Sequence, residues 1–469
     1  MVQIDGKKAV RANCVHQFPQ CRAPVLSKGR FLSNDLENLV LQTWKTWMLT
    51  AGLAAQFACG GPASDTPDTL EQPQGVALTG SNAVQRLDTA PLAKGVDVTA
   101  LVALNYHSLA LAPTLQGNAL FSPGSASSII QTSDGGYAFT GTFKALGTDD
   151  ILLVKLDAFL NVQWAYAYGT SNAESGVEVR QTSDGGFMIA GQIFQNATTN
   201  FDFYLVRTDS TGNPYWQLSN GGTLHEYATA MEVTPDGGCI IVGKTQSNLG
   251  YQNAYMVKFS SVGAVQWSRS FSSGDSGTYE FRGVANVPGG GYVAVGSRQV
   301  KVSSSTWETF GYAVKVNSAG STLFEVSSGR FAGLEAVTAT STGYVAVGYI
   351  YPVSGADFYA VRFSPTGGTL WAWSLNAGTN GDYLSDVKLA SDGNYVVTGT
   401  ISPTLTQQNL RLMKLDNSGI RLWDFYPYAS TVNTNGQSLA ITSDGGFINS
   451  GGYTDSTNTW YLLLSKFSP

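Results

Sequence analysis

Residues 176–222 read GVEVRQTSDGGFMIAGQIFQNATTNFDFYLVRTDSTGNPYWQLSNGG. Split at its turn residues, the stretch gives four short apolar or alternating runs: GVEVRQT, FMIAG, FDFYLVR and PYWQLSN. Runs of this length bounded by Gly, Asp, Ser and Asn are strands. The Asp184-Gly185-Gly186 step sets a tight hairpin, because a primed turn needs positive φ, which Gly and Asp tolerate most cheaply. Asp209 to Asn213, DSTGN, makes a second turn. The unit is therefore four strands in about fifty residues.

Outward from this stretch the unit recurs to the end of the chain. The hairpin and second strand appear as SDGGYAFTG, SDGGFMIAG, PDGGCIIVG, PGGGYVAVG, STGYVAVG, SDGNYVVTG and SDGGFINSG. Their closing glycines are Gly141, Gly191, Gly243, Gly296, Gly348, Gly399 and Gly451, at spacings of 50 to 53. Each third strand carries a cation: Lys155, Arg207, Lys258, Lys315, Arg362, Lys414 and Lys466. Nine residues beyond the first six stands an aromatic: Trp164, Trp216, Trp267, Phe324, Trp371 and Trp423.

The middle strands are apolar on both faces, as in Ile151–Val154 and Tyr461–Leu464, so each is sandwiched between two neighbouring layers. Four-stranded sheets packed face to face around an axis make a β-propeller. The fold expected is all-β, a seven-bladed propeller of four-stranded antiparallel blades. The last copy stops before its fourth strand. NALFSPG, Asn118 to Gly124, is expected to supply it, closing the ring and removing an exposed sheet edge. Tyr106 to Phe121 can also be read as a third strand, which leaves eight blades as the alternative.

Composition agrees with a sheet-rich chain: 53 Gly, 10 Trp, 22 Tyr and 22 Phe in 469 residues. Only 13% of residues are charged, and the net charge is −6 with no basic stripe, which argues against a nucleic-acid partner. Four cysteines give no disulfide framework; Cys239 lies in the apolar run CIIVG and reads as a small buried hydrophobe. Cys14 and Cys21 flank His16, but a fourth ligand is missing, so no metal site is expected.

Three domains follow from the composition shifts. Residues 1–58 are an upstream segment ending in an apolar run, Met48 to Ala58, of the length of a secretory core and too short for a membrane span. With Lys45 before it and Ala58-Cys59-Gly60 after it, the run resembles a bacterial lipoprotein signal, which implies acylation of Cys59. Translation is then expected to begin downstream of residue 1, with residues 1 to about 40 not made. The alternative is a short buried helix capping the fold. Residues 59–100, polar with Pro62, Pro67 and Pro73, read as a flexible tether, and residues 101–469 as the propeller.

The repeated residues have structural readings. A Trp at one register in successive blades packs blade on blade, its indole N–H seeking an acceptor. The third-strand cations, flanked by apolar residues, need partners. Glu174, Glu226, Glu280 and Asp382, just before the first strands, are the expected ones. The competing reading is a cationic ring lining a central channel.

For catalysis the sequence offers little. Its histidines are His16, His107 and His225, and no Ser/His/Asp arrangement, HExxH or P-loop is present, so no catalytic residue is assigned. Asp149-Asp150 offers carboxylates to a cation at a strand entrance, too few alone to build a calcium site. The ligand-binding candidates are His225, in a connection beside Glu226, and Arg298, Lys301 and Trp307, in a fourth-copy loop longer than its counterparts.

The unit resembles the bacterial secreted β-propeller repeats of pattern DxFLVKLDxxGNxxWxxxxG…TSDGGYxxxG, over Asn118 to Pro469. LVKLD (with Val154 to Asp157 within it), the turn from Gly212 to Trp216 and the SDGG hairpins carry the likeness. It implies the fold and many possible roles. A fainter likeness, in Asp209 to Trp216, is to the tryptophan-docking blades of quinoproteins, which have eight blades and often a vicinal cysteine pair; no adjacent cysteines exist here.

The function expected is a non-catalytic binding or scaffolding module at the cell envelope, exported as an outer-membrane or cell-surface lipoprotein or released outside the cell. It is expected to be monomeric, without cofactor, recognising protein or polysaccharide on one face of the disc and touching membrane only through its lipid. The alternative is a secreted polysaccharide-degrading or quinoprotein-like enzyme. Three or more charged or His side chains converging at one channel mouth would favour that alternative.

Overall fold

The computed structural model describes residues 115–121 and 125–468 apart from short connections at 145–147, 196–199, 248–250, 273–275, 304–305, 352–354, 376–380, 405, 429–431 and 456–457, together with the strand pieces 76–77, 84–86 and 96–97. Cys14, His16, Cys21, Cys59 and His107 lie outside the described residues, as does nearly all of the upstream segment and tether.

The stretch 176–222 lies in one blade, whose strands Ala173–Gln181, Phe187–Gln195, Asn200–Thr208 and Pro214–Asn220 are hydrogen-bonded in that order, all antiparallel. Seven such sheets are arranged in a ring. We number the blades 1 to 7 from the innermost strand Ser125–Gln131; the quoted stretch is in blade 2. The innermost strands of blades 3 to 6 are Glu226–Val233, Tyr279–Asn286, Ala332–Thr340 and Tyr383–Leu389. That of blade 7 includes Ser438–Ile441. Blades 7 and 1 meet directly: Ile129 N–H donates to Ser438 Oγ at 3.3 Å and Ser443 N–H to Gln131 Oε1 at 2.6 Å.

The outer position of blade 7 is taken by Leu115–Phe121, paired antiparallel with Trp460–Phe467 so that Leu464 faces Ala119. Three short pieces from the stretch read as a tether also pair with outer strands: Val96–Asp97 on blade 1, Val84–Arg86 on blade 2 and Val76–Ala77 on blade 3.

Apolar residues on both faces of the middle strands have the consequence the pattern required. The buried apolar side chains fall into seven clusters, one at each junction between consecutive blades. Cys239 is wholly buried in the cluster between blades 2 and 3, and burial pushes its thiol up to about 12.

The repeated residues serve these junctions. Trp216 Nε1 donates to Ser261 O, Trp267 Nε1 to Ser318 O and Trp371 Nε1 to Asn417 O, each in the turn between the third and fourth strands of the following blade. Such turns need glycine twice over. Gly320 has φ +79, and a Cβ there would stand 2.8 Å from the Trp267 ring.

Five of the seven third-strand cations are paired with acids, but with different ones from those expected. Lys155 pairs with Asp134, Arg207 with Asp184, Lys258 with Asp236, Lys414 with Asp392 and Lys466 with Asp444, in each case the hairpin aspartate of the same blade. The cation closes the third strand beside that hairpin, whereas Glu174, Glu226, Glu280 and Asp382 stand at the opposite face. There Glu174 accepts from Thr170, Glu226 from Thr245, Glu280 from Lys244, and Asp382 from Ser402 N–H. In blades 4 and 5 the hairpin has Gly289 and Thr342 where Asp stands elsewhere. Lys315 and Arg362 then reach the next blade, donating to Pro365 O at 3.2 Å and Asn417 O at 2.6 Å.

Candidate functional site: the channel and one face

The closing glycines do more than end a motif. In blades 1 to 6 the closing glycine sits within the second strand, opposite a first strand that carries an extra residue. The register shifts place those residues at Ser127, Val177, Thr229, Arg282, Glu335 and Ser385 in blades 1 to 6. A bulge re-aims a side chain by adding one residue to one strand of a pair. It also drives the first strand's carbonyl toward the second: a Cβ on Gly243 would stand 1.8 Å from Tyr227 O, and one on Gly296 2.0 Å from Glu280 O. Only glycine fits. In blades 1 to 6 the closing glycine thus accommodates a bulge whose extra residue lines the central channel.

The channel is a cavity of about 450 Å³ lined by all six bulged residues, together with four carboxylates, Glu178, Glu232, Glu335 and Asp386, and three cations, Arg180, Arg282 and Lys388. They pair in short chains. Arg180 binds Glu178 and, at 2.8 Å, Glu232 of the next blade. Arg282 joins Glu280 at 2.7 Å to Glu335 at 3.1 Å, and Lys244 holds the other oxygen of Glu280 at 3.2 Å. Lys388 binds Asp386 at 2.7 Å, and Leu439 N–H donates to the same carboxylate at 2.9 Å.

Burial pushes the Glu178 carboxyl up against the pull of Arg180, and Glu335 likewise against Arg282. For Glu280 burial also raises the value, but Arg282 and Lys244 outweigh it and hold the carboxyl below its usual range. The cations facing the channel are therefore first-strand residues, which differ from blade to blade. The repeated third-strand cations stand elsewhere, beside the hairpins, five of them paired with the hairpin aspartate.

By number the channel meets the condition set for an enzyme. Each of these cations lies against at least one carboxylate, and among the described residues no histidine lines the cavity.

A second feature lies on the face opposite the Asp-Gly hairpins, where second strands end and third strands begin. Phe194 and Phe201 are cross-strand partners in blade 2, their ring centroids 5.0 Å apart. Phe201 lies 5.3 Å from Tyr227 of blade 3, and His225 stacks on Tyr227 at 5.6 Å. All four rings are half-buried. His225 Nδ1 accepts from Phe201 N–H at 3.2 Å, and Lys244 Nζ, the partner of Glu280, stands 5.4 Å over the Tyr227 ring. Sequence reasoning singled out His225 but not its companions. They come from two blades and occupy no repeated register.

The fourth-copy candidates separate. The longer segment is an extension of the hairpin, with Lys301 paired opposite Trp307 and Val302 N–H closing on Thr306 O at 2.9 Å. Lys301 Nζ stands 5.7 Å from the Trp307 ring at its tip, while Arg298 lies deeper, 5.3 Å over the Tyr312 ring. The structure brings Lys301 and Trp307 together and does not join them to His225. Asp150 is buried beside Glu174: the same Cβ position on Gly169 would meet Asp150 Oδ1 at 2.1 Å and Glu174 Oε2 at 2.6 Å. Among the described residues no set of three or more His, Cys, Asp or Glu side chains is arranged to hold a metal ion.

Comparison with known proteins adds little to this geometry. No family model matches the chain. It is 26% identical over 176 residues to the regulatory protein FlaEY of Caulobacter vibrioides, covering 33% of this chain and only 18% of that protein's length. Among solved structures it is similar to the β-propeller domain of the Trilobed protease from Pyrococcus furiosus, with a TM-score of 0.46 and 12% identity over 73% of this chain and 93% of that one. It is also similar to Chaetomium thermophilum Sqt1 bound to the N-terminus of ribosomal protein L10, with a TM-score of 0.43 and 11% identity over 74% and 97% of the two chains.

Proposed function

We propose that this chain is a non-catalytic binding or scaffolding propeller of the bacterial cell envelope, engaging protein or polysaccharide on the face that carries Phe194, Phe201, His225 and Tyr227. One observation carries the reading. Each channel cation is paired with a carboxylate, whereas the four rings on the face opposite the hairpins remain half-exposed. Aromatic rings with a polar edge and a nearby cation suit either a sugar face or an apolar side chain. Export as a lipoprotein anchored at Cys59, with the propeller acting as a monomer held off the surface, rests on the apolar run from Met48 to Ala58.

The test is a glycan array run beside affinity capture from envelope extract, with mass spectrometry of the native N-terminus. A retained glycan or protein and an acylated Cys59 are expected. Turnover of a polysaccharide by the purified chain would overturn the binding reading, and an unmodified chain beginning at Met1 the anchor.

A further inference from the structure

Three blades carry a fifth strand, and all three add it at the same place. Val96 faces Ala167 in blade 1, Gln85 faces Ser219 in blade 2 and Val76 faces Ser270 in blade 3. Ala167, Ser219 and Ser270 each stand three residues beyond the tryptophan of their blade. Their third-strand partners, Leu152, Tyr204 and Tyr255, each stand three before the cation. Ser374 holds that register in blade 5, paired with Tyr359. Among the described residues no strand pairs with the outer edge of Thr369–Leu375.

The backbone of Ser374 is turned toward that open edge. Ser364 N–H donates to Gly368 O and accepts Gly367 N–H on its own carbonyl, so its peptide groups face the fourth strand. Peptide groups alternate sides along a strand, and Asp357–Phe363 pairs with the second strand without a bulge. Arg362 and Ala360 therefore face the fourth strand and Tyr359 faces away. Tyr359 and Ser374 are a pair that exchanges no hydrogen bond, which leaves the Ser374 N–H and C=O pointing outward.

Open edges are ordinarily blunted by charge, proline or shortness. Blade 4 has Glu325 and Arg330 in its outer strand, and blade 6 has only Arg421–Phe425, with Arg421 paired to Asp424. Blade 7 has Gly117 and Asn118, which are poor strand residues. Thr369–Leu375, TLWAWSL, has none of these devices. Trp371, Trp373 and Leu375 pack on the core between blades 5 and 6, while Leu370, Ala372 and Ser374 are exposed.

We infer that the outer edge of blade 5 takes a fifth strand from another protein, an extended uncharged segment with a β-branched residue opposite Ser374. Main-chain bonds to Ser374 supply the affinity, and the uncharged row of Leu370, Ala372 and Ser374 selects an uncharged strand. Valine is the residue at this register in blades 1 and 3. The edge is at the rim of the ring, and its use does not depend on the aromatic face.

The probe is the capped hexapeptide GVALTG, residues 75–80, which includes the valine paired with Ser270 in blade 3. It is titrated into the full chain by ligand-observed NMR. Saturable millimolar binding is expected, weakened about tenfold by methylating the valine N–H, which leaves the protein untouched. Ser374→Pro, which removes the outward N–H, is expected to lose as much, and Ser374→Ala nothing, because the backbone makes the bonds. A benzophenone in place of Leu78 is expected to cross-link within Thr369–Leu375. Absence of saturable binding, equal affinity of the methylated peptide, or cross-links to the outer strands of other blades overturns the assignment. So does a dimer of the parent in sedimentation that Ser374→Pro dissolves, which gives the edge to a second copy of this chain.

Discussion

Lys258 Nζ lies 2.9 Å from Asp236 Oδ2, the cation 2% exposed and the carboxylate 48%. The pair therefore links a buried third strand to a solvent-facing hairpin, and removing the cation leaves an acid that water can solvate. Lys258→Met is expected to cost about 1–2 kcal/mol, less than breaking a fully buried pair. Lys315→Met, where no aspartate is present, should cost less. Urea unfolding midpoints compare them; equal losses would show that the pairing is not what stabilises the strand.

The closing glycine makes a sharper demand. Alanine at Gly243 would place a Cβ 1.8 Å from Tyr227 O, so the bulged strand must move. A loss of about 2–3 kcal/mol is expected, typical of overpacking. Gly135→Ala meets nothing within 4 Å and carries only the strain of φ +82, about 1 kcal/mol. Thermal melts of both variants distinguish a steric requirement from a conformational one.

Glu174 gives the chain a pH dependence on the alkaline side. Burial, set against the Thr170 hydrogen bonds and reinforced by Asp150, pushes its carboxyl up to about 7. A group bound more tightly to its proton when folded contributes stability that is fully present below its unfolded value of about 4.5 and is lost as pH rises through about 7. Glu174→Gln should flatten the fall in melting temperature between pH 5 and pH 8 and raise it at pH 8. An unchanged slope would place the pH dependence elsewhere.

Ring closure is tested at Phe121. Its side chain is 4% exposed and its ring lies 5.5 Å from that of Phe139, within the core between blades 7 and 1. Phe121→Ala is expected to cost about 3 kcal/mol. A neutral result, read by denaturant unfolding, would mean that Leu115–Phe121 does not complete the seventh blade in solution.

The architecture was legible because period and punctuation agree over many copies. Ile151–Val154 could be sandwiched only between two sheets, and Trp216 recurred at a register that suits a junction. Pairing of Lys258 was also readable, but its partner was not. Deciding between Asp236 and Glu226 requires knowing which end of each strand faces which side of the disc. The bulges escaped notice because an extra residue shows only in the register, although the regular glycines opposite them were their signal. The cluster of Phe194, Phe201, His225 and Tyr227 was illegible for a different reason. Its members are adjacent only once two blades are packed, and none of them repeats.

The central claim is that partner recognition lies on that aromatic face and uses no turnover. The most direct measurement is the affinity of a glycan or protein identified by array or capture for the parent, for Phe201→Ala with Tyr227→Ala, and for Ser133→Ala on the opposite face. The account predicts that the double variant, folded by circular dichroism, loses at least tenfold in affinity while Ser133→Ala binds as the parent does. Undiminished binding by the double variant, or conversion of the ligand during the titration, would contradict it.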